Sequence, residues 1–329
     1  MNRKIILPLL AIMLAVVACT LQPVQPTSTI PIPAASTDTS LPPAPTLTVA
    51  APATEIPLPP APTSTIAPAP SVPGGLTMDM LKNGTYHTPA YDRTVKLVNG
   101  SYSDGSGASA FSVQMLGVYA FGDLNGDGKA DAAVLLAESG GGSGEFESVI
   151  AVLNQGGAPH QASQAQLGDR VQIKSVDISS GVIHLDMLVQ GPNDPMCCPS
   201  LPQKQNYWLI DNRLWLMRVN STIGGTQHII VVETPAIWAT VSNPFTVKGS
   251  LTVLPFENTL AYRIYTTDGT KINESSLTVT PSEGTAGTFS HIFNLSSAGI
   301  TDWVIIQFVD VSAADGSTIA LGSVILKAH

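Results

Sequence analysis

The sequence predicts an all-β protein. An N-terminal antiparallel β domain is expected over residues 76–220 and a two-sheet β-sandwich over 228–329, both behind a signal segment and a disordered Pro/Thr-rich tether. Three observations predict it. Beyond residue 76 the apolar residues fall in short runs bounded by Gly, Asn, Asp and Pro, the pattern of strands between turns. Helical periodicity is poor throughout, with one short helix expected near Met78–Leu81. Toward the C-terminus seven short strands alternate with regular turn signals, as in a sandwich.

The chain has 329 residues, room for two domains with appendages. Its net charge is −9 and only 12% of its residues are charged. That argues against nucleic acid, whose phosphates need a basic surface, and against an electrostatic grip on anionic lipid. Hydrophobic residues make up 44% of the chain, but part of that share sits in the N-terminal segment and in alanine. The three cysteines are Cys19 and the neighbours Cys197 and Cys198. They make neither a disulfide scaffold nor a spaced Cys/His zinc site.

At the N-terminus Arg3 and Lys4 precede an apolar run from Ile5 to Val17. The run is shorter than the roughly 20 residues a spanning helix needs. It ends in Val16-Val17-Ala18-Cys19, which resembles the cleavage box of bacterial lipoproteins. The resemblance implies a signal peptide over 1–18, lipidation of Cys19, and an extracytoplasmic protein held to the cell membrane through its lipid. An ordinary signal peptide or short anchor that happens to contain Cys is the alternative.

Residues 19–75 collapse to Pro, Thr, Ser, Ala and a few aliphatics, as in Leu58-Pro59-Pro60-Ala61-Pro62, with Asp38 and Glu55 the only charges. Such a stretch buries too little to offset chain entropy and is expected to stay unfolded, biased to polyproline II. At about 3.1 Å per residue its reach is at most on the order of 170 Å, enough for a stalk through envelope polymer. The rival reading is a ligand for Pro-recognition domains.

In the first folded region Asn83-Gly84-Thr85-Tyr86 and Asn99-Gly100-Ser101-Tyr102 are turn-then-strand signals. Strands are expected at Thr94–Val98, Phe111–Phe121, Ala132–Ala137, Phe146–Leu153, Val171–Val176, Val182–Val189, Tyr207–Ile210 and Leu214–Met217. The chemical motif is Asp123-Leu124-Asn125-Gly126-Asp127-Gly128-Lys129-Ala130-Asp131. Oxygens at alternate positions, with a glycine at the sixth where the loop must turn, suit Ca²⁺, which takes many oxygen ligands at about 2.3–2.6 Å. Asp123, Asn125, Asp127 and Asp131 would bind through side chains and Lys129 through its carbonyl. The twelfth position, where an EF-hand carries glutamate, is Val134, so this is no EF-hand. With Phe121-Gly122 before it, the loop resembles the calcium loops of FG-GAP repeats, in a single copy. The alternative is a metal-free Asp/Asn/Gly turn.

Gly140–Gly144 lacks the endings of a phosphate loop or a hydrolase elbow and reads as a hairpin loop. Glu145 and Glu147 fall on one face of a strand, expected to be solvated. Gln190–Pro199 is a turn-rich loop holding Cys197 and Cys198. Outside the cytoplasm these tend to oxidise, and with Cys19 lipidated each has only the other as an intramolecular partner. Adjacent α-carbons lie about 3.8 Å apart, so such a bond is strained and relatively reducible. It would act as a redox or ligand-gripping pair, or as a loop staple; two buried thiols are the remaining reading.

After a polar junction at Asn220–Gln227, strands are expected at His228–Glu233, Phe245–Val253, Thr259–Thr266, Ser276–Thr280, Thr288–Asn294, Trp303–Ser312 and Ser323–Lys327. Val247, Leu251, Tyr262, Ile264, Phe293, Val304, Ile306 and Phe308 are the expected inner residues. The runs Ile230-Val231-Val232-Glu233-Thr234-Pro235, Val241–Gly249 and Phe256-Glu257-Asn258-Thr259, then the turns Asp268-Gly269 and Asp315-Gly316, resemble the immunoglobulin-like domain of bacterial spore germination, often called a Gmad domain. The resemblance covers about 228–327. It implies an immunoglobulin-like, non-enzymatic sandwich and carries over no catalytic residue.

The six histidines are scattered and match no metallohydrolase spacing. Trp208, Trp215 and Trp238 suit core or interdomain packing, or a carbohydrate-stacking platform. Three functions stay open. The first is a non-catalytic, lipid-anchored binding or scaffolding protein that meets envelope glycan or another protein. The second is an enzyme acting on envelope polymer, with its site in 76–220. The third is a redox sensor built on Cys197 and Cys198.

Overall fold

The computed structural model describes residues 74–295 and 302–329. The signal segment, Cys19 and nearly all of the tether lie outside the described residues.

The first folded region has three layers. The outer one holds α1 (Met78–Lys82) and the hairpin of β1 (Thr85–Thr88) with β2 (Arg93–Lys96). Thr77 starts the helix, its hydroxyl accepting from the Met80 N–H at 3.3 Å. The middle layer is an antiparallel sheet in chain order: β3 (Ser101–Asp104), β4 (Phe111–Gly122), β5 (Asp131–Ser139), β6 (Phe146–Gln155) and β7 (Ala158–Asp169). The third layer is β8 (Gln172–Ser179), β9 (Val182–Val189), β10 (Leu201–Ile210) and β11 (Arg213–Ile223), again paired hairpin by hairpin.

This layering explains why β5 and β6 read as unbroken apolar runs: both faces of the middle sheet are covered. Ala132, Val134, Leu136, Ile150 and Val152 face Leu81, Tyr86, Val95 and Leu97 of the outer layer. Ala133, Leu135, Val149 and Ala151 face Ile183, Leu185, Met187 and Tyr207 of the third. It also corrects the expected solvated pair on β6. Glu145 is exposed, but Glu147 is 4% exposed, because the strand carries it inward under the third layer. Strand β7 was not anticipated; its sequence has no apolar alternation, and its pairing with β6 supplies the order that the side chains do not.

The stretch expected as a junction is itself a hairpin, closed by β12 (Thr226–His228) folding back on β11. Then follow β13 (Ile230–Thr234), β14 (Ala239–Val241), β15 (Phe245–Leu251), β16 (Thr259–Thr266), β17 (Lys271–Thr278), β18 (Thr280–Pro281), β19 (Gly287–Phe293), β20 (Trp303–Val311) and β21 (Thr318–Ala328). A sheet in the order β13-β15-β19-β18 faces one in the order β17-β16-β20-β21. All eight expected inner residues lie in the core between them. Ring contacts Phe289–Phe308 at 4.7 Å and Tyr262–Phe293 at 5.1 Å fill its centre.

The two regions share one sheet. Strand β11 pairs with β21 at Arg218↔Gly322, Val219↔Leu321 and Asn220↔Ala320, so eight strands form a continuous ladder through both, with β12 and β14 paired onto β11 and β21. Glycine is required at 322, since a Cβ there would meet the Ile230 carbonyl oxygen at 2.5 Å. Before Arg218 the β10–β11 hairpin lays Trp215 and Met217 on Ile305 and Ile325. Trp215 Nε1 donates to the Thr267 carbonyl at 3.3 Å, and Gln307 Nε2 to the Leu216 carbonyl at 2.8 Å. Burying each such large apolar side chain is worth about 1.5–3 kcal/mol, so the seam is a packed interface.

Candidate functional sites

The Asp123–Asp131 loop joins β4 to β5. Asp123 Oδ1 accepts from the Asn125 and Gly126 N–H groups at 3.2 and 2.7 Å, and its Oδ2 from Gly128 at 2.8 Å. Asn125 Oδ1 accepts from Asp127 at 3.0 Å, and Asp127 Oδ1 from Lys129 at 2.9 Å. The Lys129 N–H is the first cause holding the Asp127 carboxyl below its usual range. Gly128 has φ +79°, a left-handed turn that glycine adopts without strain. Each side chain thus caps the backbone two to five residues on, and the turn is supported by its own residues.

Asp131 is placed differently. It is fully buried, and its two oxygens accept from the Leu124 N–H at 2.9 Å and the Asn154 N–H at 2.8 Å. Burial raises its pKa. Its carboxylate clamps the start of β5 to the loop on one side and to the end of β6 on the other. Among the described residues no three His, Cys, Asp or Glu side chains converge as a metal-holding group. Asp123 Oδ1 already accepts from two N–H groups and Asp127 Oδ2 faces Lys129 Nζ at 3.5 Å, while Asp123 Oδ2, Asn125 Oδ1 and Asp127 Oδ1 each accept from one N–H and keep a second lone pair. Asp131 is set apart from them by burial, with both oxygens inside the fold.

The Gln190–Pro199 loop joins β9 to β10. Asp194 gathers it, accepting from Ser200 Oγ and Ser200 N at 2.7 Å and from Gly191 N at 2.8 Å. The Ser200 hydroxyl is the main reason its carboxyl is held low. Cys197 and Cys198 are joined as a disulfide, and both are exposed. Arg170, between β7 and β8, ties this loop down: Nη1 donates to the Met196 carbonyl at 2.7 Å and to Asp169 Oδ2 at 2.9 Å, and Nε to the Ser143 carbonyl at 3.1 Å.

Glu138 escaped the sequence reading, and Glu147, expected to be solvated, is buried. Glu138, fully buried, accepts from the Ala90 and Tyr91 N–H groups at 3.3 Å and fixes the β1–β2 turn. Glu147 accepts from Val171 N at 2.7 Å, and burial pushes its pKa up to about 7. The available signal was an acid closing or opening an unbroken apolar run.

A solvent-open groove of about 540 Å³ lies between the β1–β2 hairpin and β7. His87, Thr94 and Lys96 line one wall; His160, Gln161 and Gln164 line the other. The Gln161 amide crosses it, accepting from His87 N at 2.8 Å and donating to His87 O at 3.0 Å. No histidine of this groove was singled out by sequence pattern, because the two come together only across separate layers.

Of the tryptophans, Trp215 is 7% exposed and packs in the seam. Trp208 and Trp238 stack at 6.1 Å, with Trp303 edge-on to Trp238 at 5.2 Å.

Residues 229–317 match the family model for the immunoglobulin-like domain of bacterial spore germination. The match ends in the turn before β21, yet β21 is the strand that pairs with β20 on one side and with β11 on the other. No curated protein and no solved structure matches the chain.

Proposed function

We propose that this chain is a non-catalytic, lipid-anchored binding or scaffolding protein on the extracytoplasmic face of the cell membrane, displaying a rigid two-region β body. The observation that carries the reading is the immunoglobulin-like region at 229–317, built into one sheet with the region before it. A continuous ladder and a packed seam suit a body that presents fixed surfaces to an envelope glycan or a protein. The Val16–Cys19 box supplies the anchor in this reading, and the Pro-rich stretch the spacer. Calcium belongs to it as a structural ion: Asp123, Asn125, Asp127 and the Lys129 carbonyl would hold it, stiffening the β4–β5 loop.

The test is fractionation of cells expressing the full chain, with fatty-acid labelling. Labelled protein in the membrane fraction, released and unlabelled in Cys19→Ala, is expected; soluble, unlabelled wild-type protein sinks the anchor. For calcium, a melting midpoint that rises with Ca²⁺ in wild type but not in Asp127→Ala is expected. Identical midpoints with Ca²⁺ and with chelator reduce the loop to a turn.

One observation favours the redox reading as a second one: Cys197 and Cys198 are exposed and bonded to each other. Mild dithiol treatment followed by thiol alkylation separates the readings. A reversible change in partner binding would favour the sensor, and unchanged binding the scaffold.

A further inference from the structure

We infer that the groove between β2 and β7 is a binding site for an anionic glycan, a polyhydroxylated chain bearing carboxylate or phosphate groups. The inference rests on the binding-protein reading and names the partner's chemistry.

The first support is charge. The chain carries 24 acidic and 15 basic residues, for a net −9. Against that background the groove holds Lys96, His87 and His160, and among the described residues no Asp or Glu lines it. Asp92 reaches His87 Nε2 at 3.1 Å from outside the lining, with its own side chain 91% exposed, so water screens it strongly. A groove that carries Lys96 and, among the described residues, is lined by no carboxylate, on a chain of net charge −9, favours negative charge.

The second support is the hydrogen-bonding inventory. Lys96 Nζ donates to the Asn83 carbonyl and keeps two N–H donors. Gln164 Oε1 accepts from Gln161 Nε2 at 2.7 Å, which leaves the Gln164 amide N–H₂ for a ligand. Thr94 Oγ1 sits 3.3 Å from His87 Nδ1, and the His160 ring is exposed. Hydroxyls, amides and imidazole nitrogens, which donate and accept, match sugar hydroxyls, while the Lys96 ammonium matches the acid groups.

The third support is rigidity. Gln161 is bonded to both backbone groups of His87, so the two walls are locked before any ligand arrives. Preorganisation of this kind reduces the entropy lost on binding. The groove is open and polar, which suits a hydrated polymer lying along it better than a small apolar ligand enclosed in a pocket.

The experiment is calorimetric titration of the full chain in detergent with three probes: oligogalacturonate, poly(glycerol phosphate) and neutral dextran of similar length. Binding of one or both anionic probes is expected, at least tenfold tighter than dextran, weakening as salt rises. Lys96→Ala with His160→Ala should weaken it at least tenfold, and Gln164→Ala should weaken it severalfold, with melting midpoints unchanged because these side chains lie on the groove surface. Carboxylate and phosphate sources are told apart by which anionic probe wins. Equal affinity in wild type and the double variant, dextran binding as tight as the anions, or no binding of either anion overturns the site. An envelope fraction that still binds the double variant as tightly as wild type would overturn the groove while leaving the broader binding role standing. Loss of membrane association through Cys19 would fail that role on its own terms.

Discussion

The two regions are stabilised by different means. The three-layer region embeds Asp131, Glu138 and Glu147 beside its cores, each carboxylate accepting from backbone N–H outside its own strand. The C-terminal sandwich instead packs side-chain volume, with Phe245, Phe289, Phe293 and Phe308 between its sheets and, among the described residues, a single buried acid, Asp310, at its margin. The difference follows from what each must hold. The three layers meet through turns and strand ends, and a carboxylate that accepts from their backbone pins them. Two facing sheets of short hairpins need mainly a filled interior.

Four substitutions break or sharpen this contrast. The largest effect is expected from Phe308→Ala, which empties a fully buried site against Phe289 and Phe293. It should cost about 3–5 kcal/mol in a denaturant melt. A cost below about 1 kcal/mol would contradict a volume-filled core.

Trp215→Ala acts at the seam and should cost about 3 kcal/mol. Because the ladder passes from β21 to β11, wild type should unfold in one transition, and the variant should separate it into two by calorimetry. A wild type that already melts in two steps would mean that the seam does not couple the regions.

Asp131→Ala leaves the Leu124 and Asn154 N–H groups buried without partners. A loss of about 2–3 kcal/mol is expected, equal with Ca²⁺ and with chelator, because the clamp works without metal. A loss seen only in the presence of Ca²⁺ would return Asp131 to the ligand set.

The smallest effect concerns pH. Burial raises Glu147 to about 7 and Asp310 to about 6. A raised acid favours its neutral form in the fold, so its contribution is complete below the unfolded pKa and fades as pH climbs through the folded one. Glu274 has the opposite sign. Lys271 first and Arg263 second lower it from 4.5 to about 2, so what it contributes is complete above the unfolded value and is lost as pH falls from there toward about 2. Stability should therefore peak at about pH 5. From pH 7.5 down to 5.5 wild type should gain about 1–2 kcal/mol, and Glu147→Gln should remove most of that slope. An unchanged slope in the variant would assign it to other groups.

Much of the fold was legible because strand burial writes a pattern into the chain. The eight inner residues of the sandwich could be read from alternation, and β5 and β6 from unbroken apolar runs. β7 could not be read, since its polar sequence is ordered by β6 rather than by its own burial. β14 could not either: it pairs in parallel with β21 across a long stretch of chain, and parallel partners leave no local turn signal. The Asp123–Asp131 loop stood out through its spacing, but spacing does not say which way a carboxylate points. Asp123 and Asp127 stay outside; Asp131 turns in because it is the first residue of a strand covered on both faces.

By itself the sequence determined the all-β class, the composition break before the first folded residue, the sandwich core and the adjacent cysteines. These depend on local period, turn chemistry and residue type. Only the tertiary structure decided that two regions share one sheet, that Glu138 and Glu147 are interior clamps, and that His87 and His160 meet across a groove. Each of those rests on residues brought together from separate strands, and contact at a distance along the chain leaves no mark in a single sequence.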